Sequence, residues 1–156
     1  MNPSVIHSNQ ETPAASGVDT ASSVLADRAI FMPFHLVADA TVKRIAIEGT
    51  GSSFDVGIYE LDGTRLVSSG STTGTGSPQI VDITDTALTA GRYYMAFANT
   101  SGSGTDMWAY ADDTKPSQNL CGIKMQTSAF PLPASATLSD GGQSTQFPMM
   151  SLLLEA

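Results

Sequence analysis

An all-β fold, a sandwich or a barrel, is what this sequence predicts, and three observations carry the prediction. Short runs rich in Val, Ile, Tyr and Phe recur between clusters of Gly, Ser, Thr and Asp, the spacing of strands and turns rather than of βαβ units. No stretch repeats its apolar residues at helical spacing. The segment Thr89-Ala90-Gly91-Arg92 leads into Tyr93-Tyr94-Met95-Ala96-Phe97-Ala98-Asn99, a strand apolar at successive positions. Neighbouring residues of a strand point to opposite faces, so this one must be covered on both.

Taken in order, residues Met1 to Asp27 are rich in Ser, Thr, Ala, Asn and Pro, with Val5, Ile6, Val18, Val24 and Leu25 as isolated apolar points. They read as an N-terminal arm (1–27) ahead of a β-sandwich domain (28–156). A disordered tail is one reading of the arm. The spaced apolar residues favour an extended arm that orders against a neighbouring subunit, since a purely solvated linker has little use for them.

Ala29 to Leu36 is predicted to be an edge strand, because Pro33 cannot donate a ladder hydrogen bond. Thr41 to Glu48 follows the turn Ala38-Asp39-Ala40. There Val42 falls out of phase with Ile45 and Ile47, which predicts a bulge near Lys43 or Arg44. Phe54 to Leu61, Asp62-Gly63 and Thr64 to Val67 read as a hairpin with a type I′ turn, in which Phe54, Val56 and Ile58 share one face and Asp55, Gly57 and Tyr59 the other. Ser68 to Pro78 is predicted to be a flexible polar loop. It lacks the Gly-Lys-Ser/Thr ending and the following helix of a phosphate loop. Further strands are expected at Gln79–Ile83, Arg92–Asn99, Met107–Tyr110, Leu120–Gln126 and Pro148–Leu154, with Thr84 to Gly91 as a connection. The sum, roughly nine strands, suits a two-sheet antiparallel sandwich.

A chain of 156 residues suits one domain and buries about 70% of the surface exposed by its unfolded form. The single cysteine, Cys121, cannot close an internal disulfide, and with no cation beside it in sequence it reads as a small buried hydrophobe. Stability must therefore come from apolar packing, from subunit association, or from both. Only 14% of residues are charged, and the formal net charge is -8. That balance argues against nucleic acid, whose partners cluster Lys and Arg on one face. The first 26 residues show no basic cluster followed by an apolar core, and no segment approaches the roughly 20 apolar residues of a membrane helix. The expectation is a soluble protein made in a cytoplasm, with no membrane partner.

The order Ile30-Phe31-Met32-Pro33-Phe34, Ala40-Thr41-Val42-Lys43-Arg44-Ile45, Val56-Gly57-Ile58-Tyr59 and Leu88-Thr89-Ala90-Gly91-Arg92-Tyr93-Tyr94-Met95-Ala96 resembles the jelly-roll-like β-sandwich modules of bacteriophage virion proteins. Such modules occur in tail fibres and in head fibre or decoration proteins. The likeness covers about Ala29 to Asn99. It implies a homotrimeric structural protein of the virion, made in the host cytoplasm, without a cofactor and without catalytic residues to carry over.

Candidate chemistry is sparse. A hydrolytic nucleophile needs a base within hydrogen-bond reach, and the chain holds only His7 and His35 and no Gly-x-Ser-x-Gly elbow. Asp106, Asp112, Asp113 and Asp140 can be imagined around calcium, but their spacing matches no known loop, and solvated loop acids are the plainer reading; no metal site is assigned. A glycosidase needs two carboxylates about 5 Å or about 6.5 to 9.5 Å apart. The fifteen acids allow such a pair by chance, but nothing points to it. Trp108 and Tyr110 share parity on one strand, beside a Gly/Ser loop and Asp112-Asp113, an arrangement that suits either core packing or a stacked sugar ring. Asn99-Thr100-Ser101 fits a glycosylation triplet but reads as a turn.

The expected function is thus a non-enzymatic capsid decoration or cement protein. Its partners would be its own copies in a trimer and the major capsid protein or other virion proteins, reached by the arm. The alternative is a tail-fibre or receptor-binding module that contacts host-surface glycan through Trp108, Tyr110, Asp112 and Asp113.

Overall fold

The computed structural model describes residues 4–7, 18–19, 26–47, 51–100, 109–111, 122–140, 146–148 and 150–155, with 4–7, 18–19, 109–111 and 146–148 as backbone alone. Among them the strands are β1 (Ser4–His7), β2 (Val18–Asp19), β3 (Arg28–Leu36), β4 (Ala40–Ile47), β5 (Phe54–Tyr59), β6 (Arg65–Ser68), β7 (Gln79–Leu88), β8 (Gly91–Asn99), β9 (Ala109–Ala111), β10 (Lys124–Thr127), β11 (Ser139–Asp140), β12 (Gln146–Pro148) and β13 (Met150–Glu155). They form a four-stranded sheet of order β1-β13-β4-β7, a six-stranded sheet of order β11-β10-β3-β8-β5-β6 and a three-stranded sheet of order β12-β9-β2. Neighbouring strands pair antiparallel throughout. Val42 and Ile45 of β4 and Leu152 of β13 share one buried cluster with Met32 of β3, Val56 of β5 and Phe97 of β8. The two larger sheets therefore pack face to face, and the protein is a two-sheet antiparallel β-sandwich.

The central strand β8 is buried from Tyr93 to Asn99, as its apolar run predicts. Its two faces differ in kind. Tyr93, Met95 and Phe97 fill the space between the sheets. Tyr94, Ala96 and Ala98 lie in a second cluster with Ala129, Leu132 and Ala136. Among the described residues the outer cover is thus a strap of chain, residues 128–138, rather than another sheet. Small residues on that face of β8 let the strap lie close.

The predicted bulge sits at Lys43. Register shifts there against both neighbours: Val42 and Arg44 oppose Thr86 and Asp82 of β7, and Leu154 and Leu153 of β13. The shift lets Val42 and Ile45, otherwise on opposite faces, both point inward and reach full burial. It also carries the Lys43 ammonium outward to Glu155 at 2.8 Å and Asp85 at 3.5 Å, exposed ion pairs of the kind that add little stability.

Three expectations need correction. β3 is no edge strand along its whole length, since Arg28 to Phe31 pair with β10 on one side while β8 runs along the other. Pro33 lies beyond the last residue paired to β10, where a missing N–H costs nothing in that ladder. The Asp62-Gly63 turn is not type I′. Gly63 N–H donates to the Glu60 carbonyl at 3.1 Å and Glu60 N–H to the Thr64 carbonyl at 2.9 Å, and of the two residues only Gly63 takes a positive φ, 91°. This is a three-residue loop with a glycine bulge, closed by the Thr64 N–H donating to Asp62 Oδ1 at 2.8 Å. Finally, Thr84 to Leu88 continues β7 rather than connecting it to β8, because Thr86, Ala87 and Leu88 still pair with Val42, Thr41 and Ala40. The polar loop after β6 is pinned early, with Phe54 and Thr72 exchanging backbone hydrogen bonds of 2.8 and 2.7 Å.

Candidate functional site

The register places part of the predicted contact set. Tyr110 lies on β9 opposite Val18 of β2 and Phe147 of β12, so a candidate glycan contact and a candidate arm residue meet in the small sheet. Val5 and Ile6 lie on β1 opposite Leu153 and Leu152 of β13. Trp108, Asp112, Asp113, Val24 and Leu25 lie outside the described residues, as do Cys121 and Asp106. Asp140 lies on β11 opposite Lys124 and forms an ion pair with it. His35 is exposed near the end of β3, opposite Arg92. Asn99 is the last residue of β8 and is fully buried, which disqualifies the triplet as an accessible glycan acceptor. Among the described residues no three His, Cys, Asp or Glu side chains gather around a metal-sized point.

The structure instead assembles a polar cluster that no motif in the sequence announces, on the outer face of the β5–β6 hairpin. Strand alternation sends Phe54, Val56 and Ile58 into the sandwich and turns Asp55 and Tyr59 outward, under the strap. Asp55 is nonetheless 0% exposed. One carboxylate oxygen accepts the Leu132 N–H at 3.0 Å, and Ser69 and Ser68 hydroxyls donate to the carboxylate at 3.2 and 3.5 Å. The Tyr59 hydroxyl donates to the Pro133 carbonyl at 2.6 Å, and the Arg65 guanidinium donates to the Leu132 carbonyl.

Burial dominates the electrostatics here. It holds the Asp55 carboxyl above the ordinary carboxylate range, against the opposite pull of the Leu132 N–H, the Ser69 hydroxyl and the Arg65 charge. Burial likewise pushes the Tyr59 hydroxyl up, with the Asp55 charge adding to it and Arg65 opposing it. Both groups spend their hydrogen bonds on the strap's backbone and on neighbouring hydroxyls, so the cluster fastens chain to chain. The signal that could have found it is an aspartate in the middle of an otherwise apolar strand, a residue type that strands avoid.

Removing the carboxylate orphans the Leu132 N–H in a dry place. Asp55→Ala is expected to lower stability by about 1–3 kcal/mol, while Asp55→Asn, which keeps a carbonyl oxygen for that N–H, costs less. Urea unfolding of the two variants checks the order.

No protein-family model, curated protein or solved structure matches this chain.

Proposed function

We propose that the chain is a structural protein of a bacteriophage virion, a non-enzymatic head decoration or cement protein that works as a trimer on the capsid surface. The jelly-roll-like kinship with phage modules belongs to the same reading. The observation that carries it is the use made of the N-terminal segment. Ser4 to His7 adds to the edge of the four-stranded sheet as a strand on β13. Strand addition relies on main-chain hydrogen bonds, so the same segment is chemically suited to the equivalent edge of a neighbouring subunit. Supporting this, a central strand buried on both faces makes a stiff body, as a shell component requires.

Deleting residues 1–26 is expected to abolish attachment to expanded capsids while circular dichroism retains the β signature. Unchanged capsid affinity in the shortened protein would overturn the proposal. Light scattering on the full chain should return a mass near three times 16.2 kDa.

A further inference from the structure

We infer that residues 128–138 form a strap that opens and closes as one piece over the outer face of the six-stranded sheet, with Asp55, Tyr59 and Arg65 as its latch. Most of its polar fastenings to the sheet run to a single hairpin, the Thr137 N–H donating instead to Gln126 Oε1 of β10 at 2.7 Å. Besides the three side-chain bonds, Arg65 N–H donates to the Ala134 carbonyl at 3.0 Å and Ala136 N–H to the Gly63 carbonyl at 2.8 Å, and Thr64 bridges Ser135. The strap's start is a strained corner. Ser128 holds a φ of 53° and Asp27 one of 56°, and Ala129 N–H donates to the Asp27 carbonyl at 2.9 Å. Non-glycine residues keep such angles only where the surroundings impose them, so release of the strap relaxes its own hinge.

Opening requires far less than unfolding. β8 is bonded along both sides by β3 and β5, whereas the strap is held by scattered bonds and a few apolar anchors, led by Leu132. Segments of that kind open below the global unfolding free energy. Beneath lies an aromatic trio: Phe31 meets Tyr59 edge-on at 5.1 Å and Tyr94 at 6.4 Å.

The latch also responds to pH. Asp55 faces Tyr59 on its own strand, Arg65 and Ser68 on β6, Ser69 just beyond, and the Leu132 N–H of the strap; on β8 its opposite number is Ala98, which does not titrate. Closing the strap desolvates the carboxyl and raises its pKa, so the closed form binds the proton more tightly than the open one. Closure is therefore strongest below the ordinary carboxylate value of 3.8 and weakens as pH rises through the raised value. Protonated, the group still accepts from Leu132 through one oxygen and can donate to a serine with the other.

The test is amide hydrogen exchange on the full chain across this pH range, corrected for intrinsic rates. The Leu132 and Ala136 amides should exchange together, at least about tenfold less protected than Met95 and Phe97. Their protection should fall by up to about tenfold for each pH unit separating the two pKa values, and Asp55→Asn should abolish that slope. Tyr59→Phe should lower strap protection equally at every pH, a readout that stands even if Asp55→Asn does not fold. Strap amides as protected as those of β8, a wild-type slope of the opposite sign, or an unchanged slope in Asp55→Asn would overturn the inference.

Discussion

Phe97→Ala is expected to cost about 3–5 kcal/mol, the range for emptying a fully buried phenylalanine site. Phe97 is 0% exposed and stands on the central strand between Ile30 of β3 and Val56 of β5. Its ring stacks on Phe54, with centroids 6.2 Å apart and planes 17° from parallel, a pairing that adds to the area term. The strands around it are hydrogen-bonded on both sides and cannot collapse into the void, so the loss should sit at the upper end of the range. Against a typical total of about 5–15 kcal/mol, this one change removes a large share. Thermal unfolding should show a midpoint lower by on the order of 10 °C. A drop of only a degree or two would mean that the space between the sheets is not packed as described.

Gly57→Ala should be nearly as damaging, although it only adds a methyl group. Gly57 lies on β5 between Ala96 of β8 and Ser68 of β6. A Cβ there would stand 2.5 Å from the Val67 carbonyl oxygen and 3.2 Å from both Leu132 Cδ1 and Ser68 Cβ. The nearest of these is backbone, so relief requires β6 to shift, while the contact with Leu132 presses on the strap. Overpacking of this sort costs about 1–3 kcal/mol and sometimes more, and with a carbonyl in the way about 3 kcal/mol is expected. The variant should unfold at lower urea and also lose hydrogen-exchange protection at Leu132. Gly63 guards the same contact at the hairpin tip: its φ is 91°, and a Cβ would stand 2.4 Å from the Ala136 carbonyl oxygen.

Much of the sandwich was legible along the chain because alternation is a local signal. Val42, Ile45 and Ile47 conflict in parity within six residues, and only a bulge reconciles them. The run from Tyr93 to Asn99 announces burial on two faces because it leaves no polar side to present to water. The Asp-Gly pair marked a turn but not its type, since the same dipeptide serves two-residue and three-residue loops. The choice fell to the loop that seats Gly63 against Ala136. Pro33 marks an edge, and that edge is local, because a strand can have a neighbour at one end and none at the other.

The contact residues expected to serve a partner rest on type and proximity in sequence, and among the described residues the structure adds for them the pairing of Tyr110 with Val18 and Phe147. The polar cluster under the strap had a weaker signature, and its meaning lay elsewhere. Asp55 stands 77 residues from the Leu132 amide that it accepts. Nothing in Ser128 to Leu138, short and rich in proline and alanine, alternates as a strand would or spaces its apolar residues as a helix would.

Residue order alone settles that the chain is built of strands, where most of them run, which of their faces are apolar and where one ladder must slip. It takes the folded arrangement to show that a strap seals the second face of β8, that an aspartate is buried beneath it, and that glycine and alanine beside it are small for that reason. Side-chain alternation is dictated by residues two positions apart, so it can be read from neighbours. Whether a polar group stays in water or is desolvated depends on which distant segment comes to lie over it, and that follows from the folded packing of the whole.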